Sequence, residues 1–161
     1  MRPERSSRAC LCTNLRSLST WESPVGDAQS VDAVESALRS ADLVLDALIG
    51  YSLIGAPRQP ISGLIRAANN SGTVLLPLDL PSGLNGDSGE AYDPTIRAAA
   101  TLSLALPKVG LTRPAAREWI GNHYLADISV PEAVYRRLGL DVSPIFSRAD
   151  IEAVPLDAYD E

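Results

Sequence analysis

Leu76-Pro77-Leu78-Asp79-Leu80-Pro81-Ser82-Gly83-Leu84-Asn85 reads as an apolar strand that stops at a carboxylate and turns at once through Pro-Ser-Gly. In open α/β sheets the ligand site lies outside the carboxyl ends of the strands, which is where such a carboxylate falls. The same arrangement occurs upstream, where Leu43 to Leu45 leads into Asp46 and then Ala47-Leu48-Ile49-Gly50. Two strand-end aspartates, each followed by a glycine-bearing loop, predict one shared cleft.

The segments around these two points supply the rest of the fold. Val31, Val34 and Leu38 mark one face of a helix. Ala41 to Leu48 is a strand candidate. Pro60 is placed to open a second helix, with Ile61, Leu64, Ile65 and Ala68 on its buried face and Asn69-Asn70-Ser71-Gly72 as its stop. Thr73 to Leu78 is continuously apolar, which predicts a strand buried on both faces, as in a parallel sheet. Ala98 to Leu106 and Leu125 to Val130 are further strands, and Tyr135 to Leu138 falls in a short helix before an acidic, poorly periodic end. This alternation predicts a doubly wound α/β fold. Fewer strands are visible than such a sheet normally has, and the deficit lies at the N-terminus. Residues 1–30 stand apart: Arg2, Arg5, Arg8 and Arg16 alternate with serines, a composition like that of a transit peptide. They are expected to be a leader or disordered segment, with residues 31–161 forming the domain.

The chain has 161 residues and a net charge of −6. That acidity argues against a nucleic-acid partner, because phosphate binding needs a basic surface. No apolar stretch is long enough to span a membrane, so no membrane partner is expected. Cys10 and Cys12 have one residue between them, poor spacing for a mutual disulfide or a zinc site, and read as thiols of the leader. His123 is the single histidine, so any Ser-His-Asp scheme must use it. A surface or strand-end histidine is the favoured reading.

Four features carry candidate chemistry. Asp46 and Asp79 need partners if they are desolvated. Ser82 Oγ and backbone carbonyls can complete an oxygen-rich shell around a hard cation, or both aspartates can simply cap helices or turns. The loop Gly50-Tyr51-Ser52-Leu53-Ile54-Gly55 lacks the Lys-Ser/Thr of a P-loop. Its glycines still let backbone N–H groups approach an anion, although a plain strand-to-helix connection has the same look. Lys108 is the only lysine, the other thirteen basic residues being arginines. It is placed to hold a phosphate or a developing negative charge, or to be a solvated lysine at the sheet edge.

Taken together, Asp46 to Gly55 (DALIGYSLIG), Leu78 to Leu84 (LDLPSGL), Asp87 to Glu90 (DSGE), Leu106 to Leu111 (LPKVGL) and Ala126 to Pro131 (ADISVP) resemble the YjeF N-terminal-domain family, the NAD(P)H-hydrate epimerases. The resemblance covers about residues 41 to 131. It implies a Rossmann-like three-layer αβα sandwich with a mostly parallel sheet, here lacking its N-terminal part. It implies an isomerase that interconverts the R and S forms of NADHX and NADPHX. By motif, Asp46 and Ser82 match potassium ligands, so K+ is the expected cofactor. Gly50, Tyr51, Ser52, Leu53, Ile54 and Gly55 match the loop that binds the hydrated dinucleotide. Asp79 matches the substrate-contacting aspartate, and Lys108 the family's lysine after the next strand; both are expected to be catalytic. The family's Asn-Asn-Gly-Gly-Asp-Gly loop has no counterpart in this sequence, and Tyr51 stands where the family usually has threonine. A sheet short of its first βα unit exposes an edge and apolar surface, which favours a homodimer or poor solubility of the isolated chain. A cytoplasmic enzyme is the expected setting; a non-catalytic nucleotide-binding or interaction module is the alternative.

Overall fold

The computed structural model describes residues 31–140, 146 and 149–155, with side chains from residue 34 onward. The leader expected over residues 1–30, Cys10 and Cys12 lie outside the described residues. Along the chain run α1 (Val31–Ser40), β1 (Leu43–Asp46), α2 (Ile61–Asn70), β2 (Val74–Pro77), β3 (Ala100–Leu104), α3 (Arg117–Ile120), β4 (Asn122–Ala126), α4 (Glu132–Arg137) and β5 (Ile151–Ala153).

β1 and β2 pair in parallel, as do β3 and β4, while β5 runs antiparallel to β4. The two ladders join at β2, where Leu78 bridges Leu102 and the Ala99 N–H donates to the Leu75 carbonyl at 3.0 Å. The result is the expected mixed α/β fold with a mainly parallel sheet. Short 3₁₀ turns over Val109–Thr112 and Pro114–Ala116 lead into α3.

α1 and α2 form because each carries an apolar stripe at helical spacing. Val34 and Leu38 from α1 meet Leu64, Ile65, Ala67 and Ala68 from α2, and together they cover Val44 and Leu75 on one face of the sheet. Leu64 and Ile65 are buried, and a side chain of that size contributes about 1.5–3 kcal/mol on full burial. α2 ends as its sequence predicts, with Gly72 taking a positive φ of 74°. Asn69 does more than stop the helix. Its amide donates to the Thr95 carbonyl (2.8 Å) and accepts from the Arg97 N–H (3.0 Å), tying the helix end to the loop before β3.

The structure corrects several sequence expectations. The strand expected over Ala41 to Leu48 is confined to Leu43–Asp46. β2 is not buried on both faces: Val74 is exposed and Leu76 only partly covered, alternating with buried Leu75 and Pro77. Among the described residues the helices α1 and α2 cover only one face there, so Leu43 and Val74 remain open on the other. The late strand is Asn122–Ala126, not Leu125 to Val130. Asp127 ends it: its carboxylate accepts the Ser129 N–H at 2.7 Å, and Ser129 turns into a positive φ of 60°. His123 lies near the start of β4, the strand-end half of its expected placement, but not at the surface, being 2% exposed.

Candidate functional site

The carboxyl ends of β1, β2 and β3 point the same way because the strands are parallel, and the expected residues collect there. β1 delivers Asp46, which is 4% exposed. Its Oδ1 accepts from the Ser82 hydroxyl (2.6 Å) and the Leu48 N–H (3.2 Å), and its Oδ2 accepts from the Ser82 N–H (2.8 Å). Ser82 Oγ in turn accepts the Ile49 N–H at 2.9 Å. Burial pushes the Asp46 carboxyl above the usual carboxylate range, and the hydrogen bonds from Ser82 and Leu48 oppose that push. The Pro-Ser-Gly turn is what brings Ser82 here. Gly83 has φ +103°, and a Cβ on it would lie 2.4 Å from the Pro94 carbonyl oxygen, so only glycine allows the turn to close against that segment.

The chain beyond β2 delivers Asp79, whose N–H donates to the Leu102 carbonyl at 2.8 Å. Asp79 has φ 76°, a left-handed conformation that costs a residue with a side chain about 1–3 kcal/mol. The segment after β3 delivers Lys108, whose ammonium contacts Asp79 Oδ1 and donates to the Leu104 carbonyl at 3.0 Å. Lys108 is therefore not a solvated lysine; its side chain is 17% exposed and Asp79's is 22%. The Leu104 N–H adds a weaker contact to Asp79 Oδ1 at 3.3 Å.

A cleft of about 320 Å³ opens beside Lys108, lined by Tyr51, Asp87, Leu104, Pro107, Lys108 and Val109 among others; neither Asp46 nor Asp79 lines it, so it is not the shared cleft expected from the two aspartates. Tyr51 reaches it from the loop after β1, and its hydroxyl donates to Asp87 Oδ1 at 2.6 Å. That hydrogen bond and the Asp87 charge push the Tyr51 phenol above its ordinary value. The rest of the loop, Gly50, Ser52, Leu53, Ile54 and Gly55, does not line the cleft, and Ile54 is 95% exposed. A larger cleft of about 410 Å³ lies between the end of α2 and residues 91–97 and contains none of the expected site residues. Its arginines are engaged: Arg66 pairs with Asp93 and Arg97 stacks on Trp119.

So Asp46 meets Ser82, Asp79 meets Lys108, and Tyr51 alone of its loop joins the Lys108 cleft. Among the described residues no three His, Cys, Asp or Glu side chains gather closely enough to hold a metal. Asp46 Oδ, Ser82 Oγ and nearby carbonyls are the oxygens a hard cation could use. Sequence reasoning missed Ser103, which is fully buried, with Oγ 2.9 Å from His123 Nε2. A hydroxyl inside an apolar strand was the available signal. Burial, and secondarily the Lys108 charge, pushes His123 below its ordinary value of 6.5.

The His123 environment gives a signed expectation. An imidazole whose folded value is depressed contributes stability above the unfolded value, and that contribution is lost as pH falls from 6.5 toward the folded value. Because His123 is the only histidine, the two imidazole C–H resonances of the protein both report it. Its midpoint in an NMR titration is expected below 6.5, the ordinary value. A midpoint at or above that value would contradict the buried, neutral ring.

Comparison with known proteins adds the following. The profile of a family described as "YjeF-related protein N-terminus" matches residues 1–110. An NAD(P)H-hydrate epimerase from Dehalogenimonas lykanthroporepellens is 44% identical over 125 residues, covering 78% of this chain and 49% of that protein. One from Truepera radiovictrix is 45% identical over 97 residues, covering 60% of this chain and 43% of that protein. The crystal structure of yeast ynu0 superposes with a TM-score of 0.62 at 22% identity, over 74% of this chain and 50% of that one, which bears on the fold. The chain thus spans about half the length of the relatives it matches. No helix among the described residues is long and apolar enough to cross a membrane.

Proposed function

The chain belongs to the YjeF-related N-terminal family, and from that premise we propose that it is an isomerase that epimerises hydrated NADH and NADPH. The observation that carries the reading is the meeting of Asp79 with Lys108 at the strand ends, beside a cleft of about 320 Å³. The relatives named as NAD(P)H-hydrate epimerases supply the substrate class.

The hydroxyl of such a hydrate sits on a carbon next to the ring nitrogen, as in a carbinolamine. When that hydroxyl leaves with a proton, the nitrogen lone pair stabilises the resulting cation. Water returning from the opposite face gives the other epimer. In the salt bridge the transferable proton sits on the Lys108 ammonium, so Asp79 relays it to the departing hydroxyl, then takes one from the returning water and hands it back to Lys108, general acid–base catalysis through one carboxyl. Lys108 also holds that carboxyl in place. Tyr51 and Asp87 form the rim of the cleft through their hydrogen bond.

Asp46 and Ser82 fit a monovalent cation. A buried carboxylate beside a hydroxyl is a hard-oxygen set, and a cation would offset the desolvation that now pushes the Asp46 carboxyl up. Potassium held there would organise the loops after β1 and β2, being too weak a Lewis acid to activate water.

The test is epimerisation of purified R-NADHX by this chain in potassium buffer, with the epimers separated by chromatography. Conversion well above the spontaneous rate is expected. A folded sample that gives only the spontaneous rate while still binding the dinucleotide would replace the enzyme reading with that of a non-catalytic binding module.

A further inference from the structure

We propose that Ser103 and His123 are positioning residues that fix the direction of the Asp79 carboxyl. The inference rests on the catalytic reading of Asp79 above. Asp79 is held in a left-handed conformation (φ 76°) with both backbone polar groups tied to β3: its N–H to the Leu102 carbonyl (2.8 Å) and its carbonyl to the Ser103 hydroxyl (2.9 Å). The backbone at Asp79 therefore turns on contacts that β3 supplies.

Ser103 Oγ also lies 2.9 Å from His123 Nε2. A serine hydroxyl has one proton. If it went to the imidazole, the Asp79 carbonyl would face only oxygen lone pairs at 2.9 Å. The proton therefore goes to Asp79, and His123 Nε2–H donates to Ser103. Burial favours the neutral ring, and with the Ser103 proton given to Asp79 the one ring proton belongs on Nε2, which faces Ser103 Oγ. The order is His123 Nε2–H to Ser103 Oγ, then Ser103 Oγ–H to the Asp79 carbonyl. Thr101 makes a useful contrast. It is equally buried on the same strand face, yet its hydroxyl goes to the Ile120 carbonyl at 2.7 Å and supports α3. Ser103 alone of these two hydroxyls acts on the candidate site. With the carbonyl fixed, the Asp79 side chain is aimed at Lys108 and the Leu104 N–H.

The test compares Ser103→Thr with Ser103→Val, which add the same volume and differ only in the hydroxyl. Ser103→Val is expected to lower kcat by up to about 100-fold with KM unchanged, the scale of a misplaced catalytic group. Ser103→Thr is expected to keep kcat. Amide hydrogen exchange gives a second readout that needs no turnover: the Asp79 and Leu104 N–H groups are expected to exchange faster in the valine variant than in the threonine variant. If the larger side chains prevent folding, Ser103→Ala against wild type makes the same comparison without added volume. Equal kcat and equal amide protection in variants with and without the hydroxyl would overturn the inference. Failure of the catalytic reading is distinguishable. In that case Asp79→Asn stays active, while the amide comparison still reports whether Ser103 holds Asp79.

Discussion

Asp79→Asn is expected to lower epimerisation by about 10²–10⁴-fold, the range that a positioned general acid–base supplies, while the chain stays folded. The amide has the shape of the carboxylate, so the cleft is unchanged. Asparagine is, with aspartate, among the side chains that tolerate a positive φ best, so the backbone at φ 76° survives the exchange. Its single oxygen can still accept from Lys108 and the Leu104 N–H, the contacts that Asp79 Oδ1 makes now. What the amide cannot do is give a proton to a leaving hydroxyl and recover one from water. Thermal unfolding and epimer chromatography on the same preparation separate the two effects. A wild-type rate from the variant would remove Asp79 from the chemistry.

That aspartate was legible in the sequence because a parallel sheet writes its ligand edge plainly. Leu43 to Leu45 and Thr73 to Leu78 are apolar runs, each ends at a carboxylate, and each is followed by a glycine-bearing loop. α2 was equally plain, since its stripe and its Asn-Gly stop depend only on neighbours in the chain. The pairing of Asp79 with Lys108 was not readable from either residue alone; it depends on β2 lying beside β3.

What the sequence hid was decided by contacts between distant segments. Ser103 and His123 are twenty residues apart and meet because β3 lies beside β4. β5 is three residues long, with Ile151 and Ala153 exposed, so no buried periodicity marks it; pairing with β4 alone makes it a strand. The even apolar character of Thr73 to Leu78 overstated burial, because hydrophobicity states what can be covered and not whether a helix is present to cover it.

The second aspartate should behave oppositely to the first. Asp46→Ala is expected to destabilise the fold by about 2–4 kcal/mol, since it strands buried donors and each costs about 1–3 kcal/mol unpaired. The Ser82 N–H, the Ser82 hydroxyl and the Leu48 N–H all converge on this one carboxylate, itself 4% exposed. The hydroxyl can rotate to the Ile49 carbonyl, 3.3 Å away, but the two N–H groups have no such freedom. Asp46→Asn keeps one acceptor oxygen and should fall between wild type and alanine in a urea titration. The same series tests the cation. If Asp46 and Ser82 hold potassium, replacing it with tetramethylammonium should lower the melting temperature of wild type and leave Asp46→Ala unchanged. Equal potassium dependence in both proteins would place the cation elsewhere or remove it, leaving Asp46 as the anchor that joins the loop after β1 to the Pro-Ser-Gly turn.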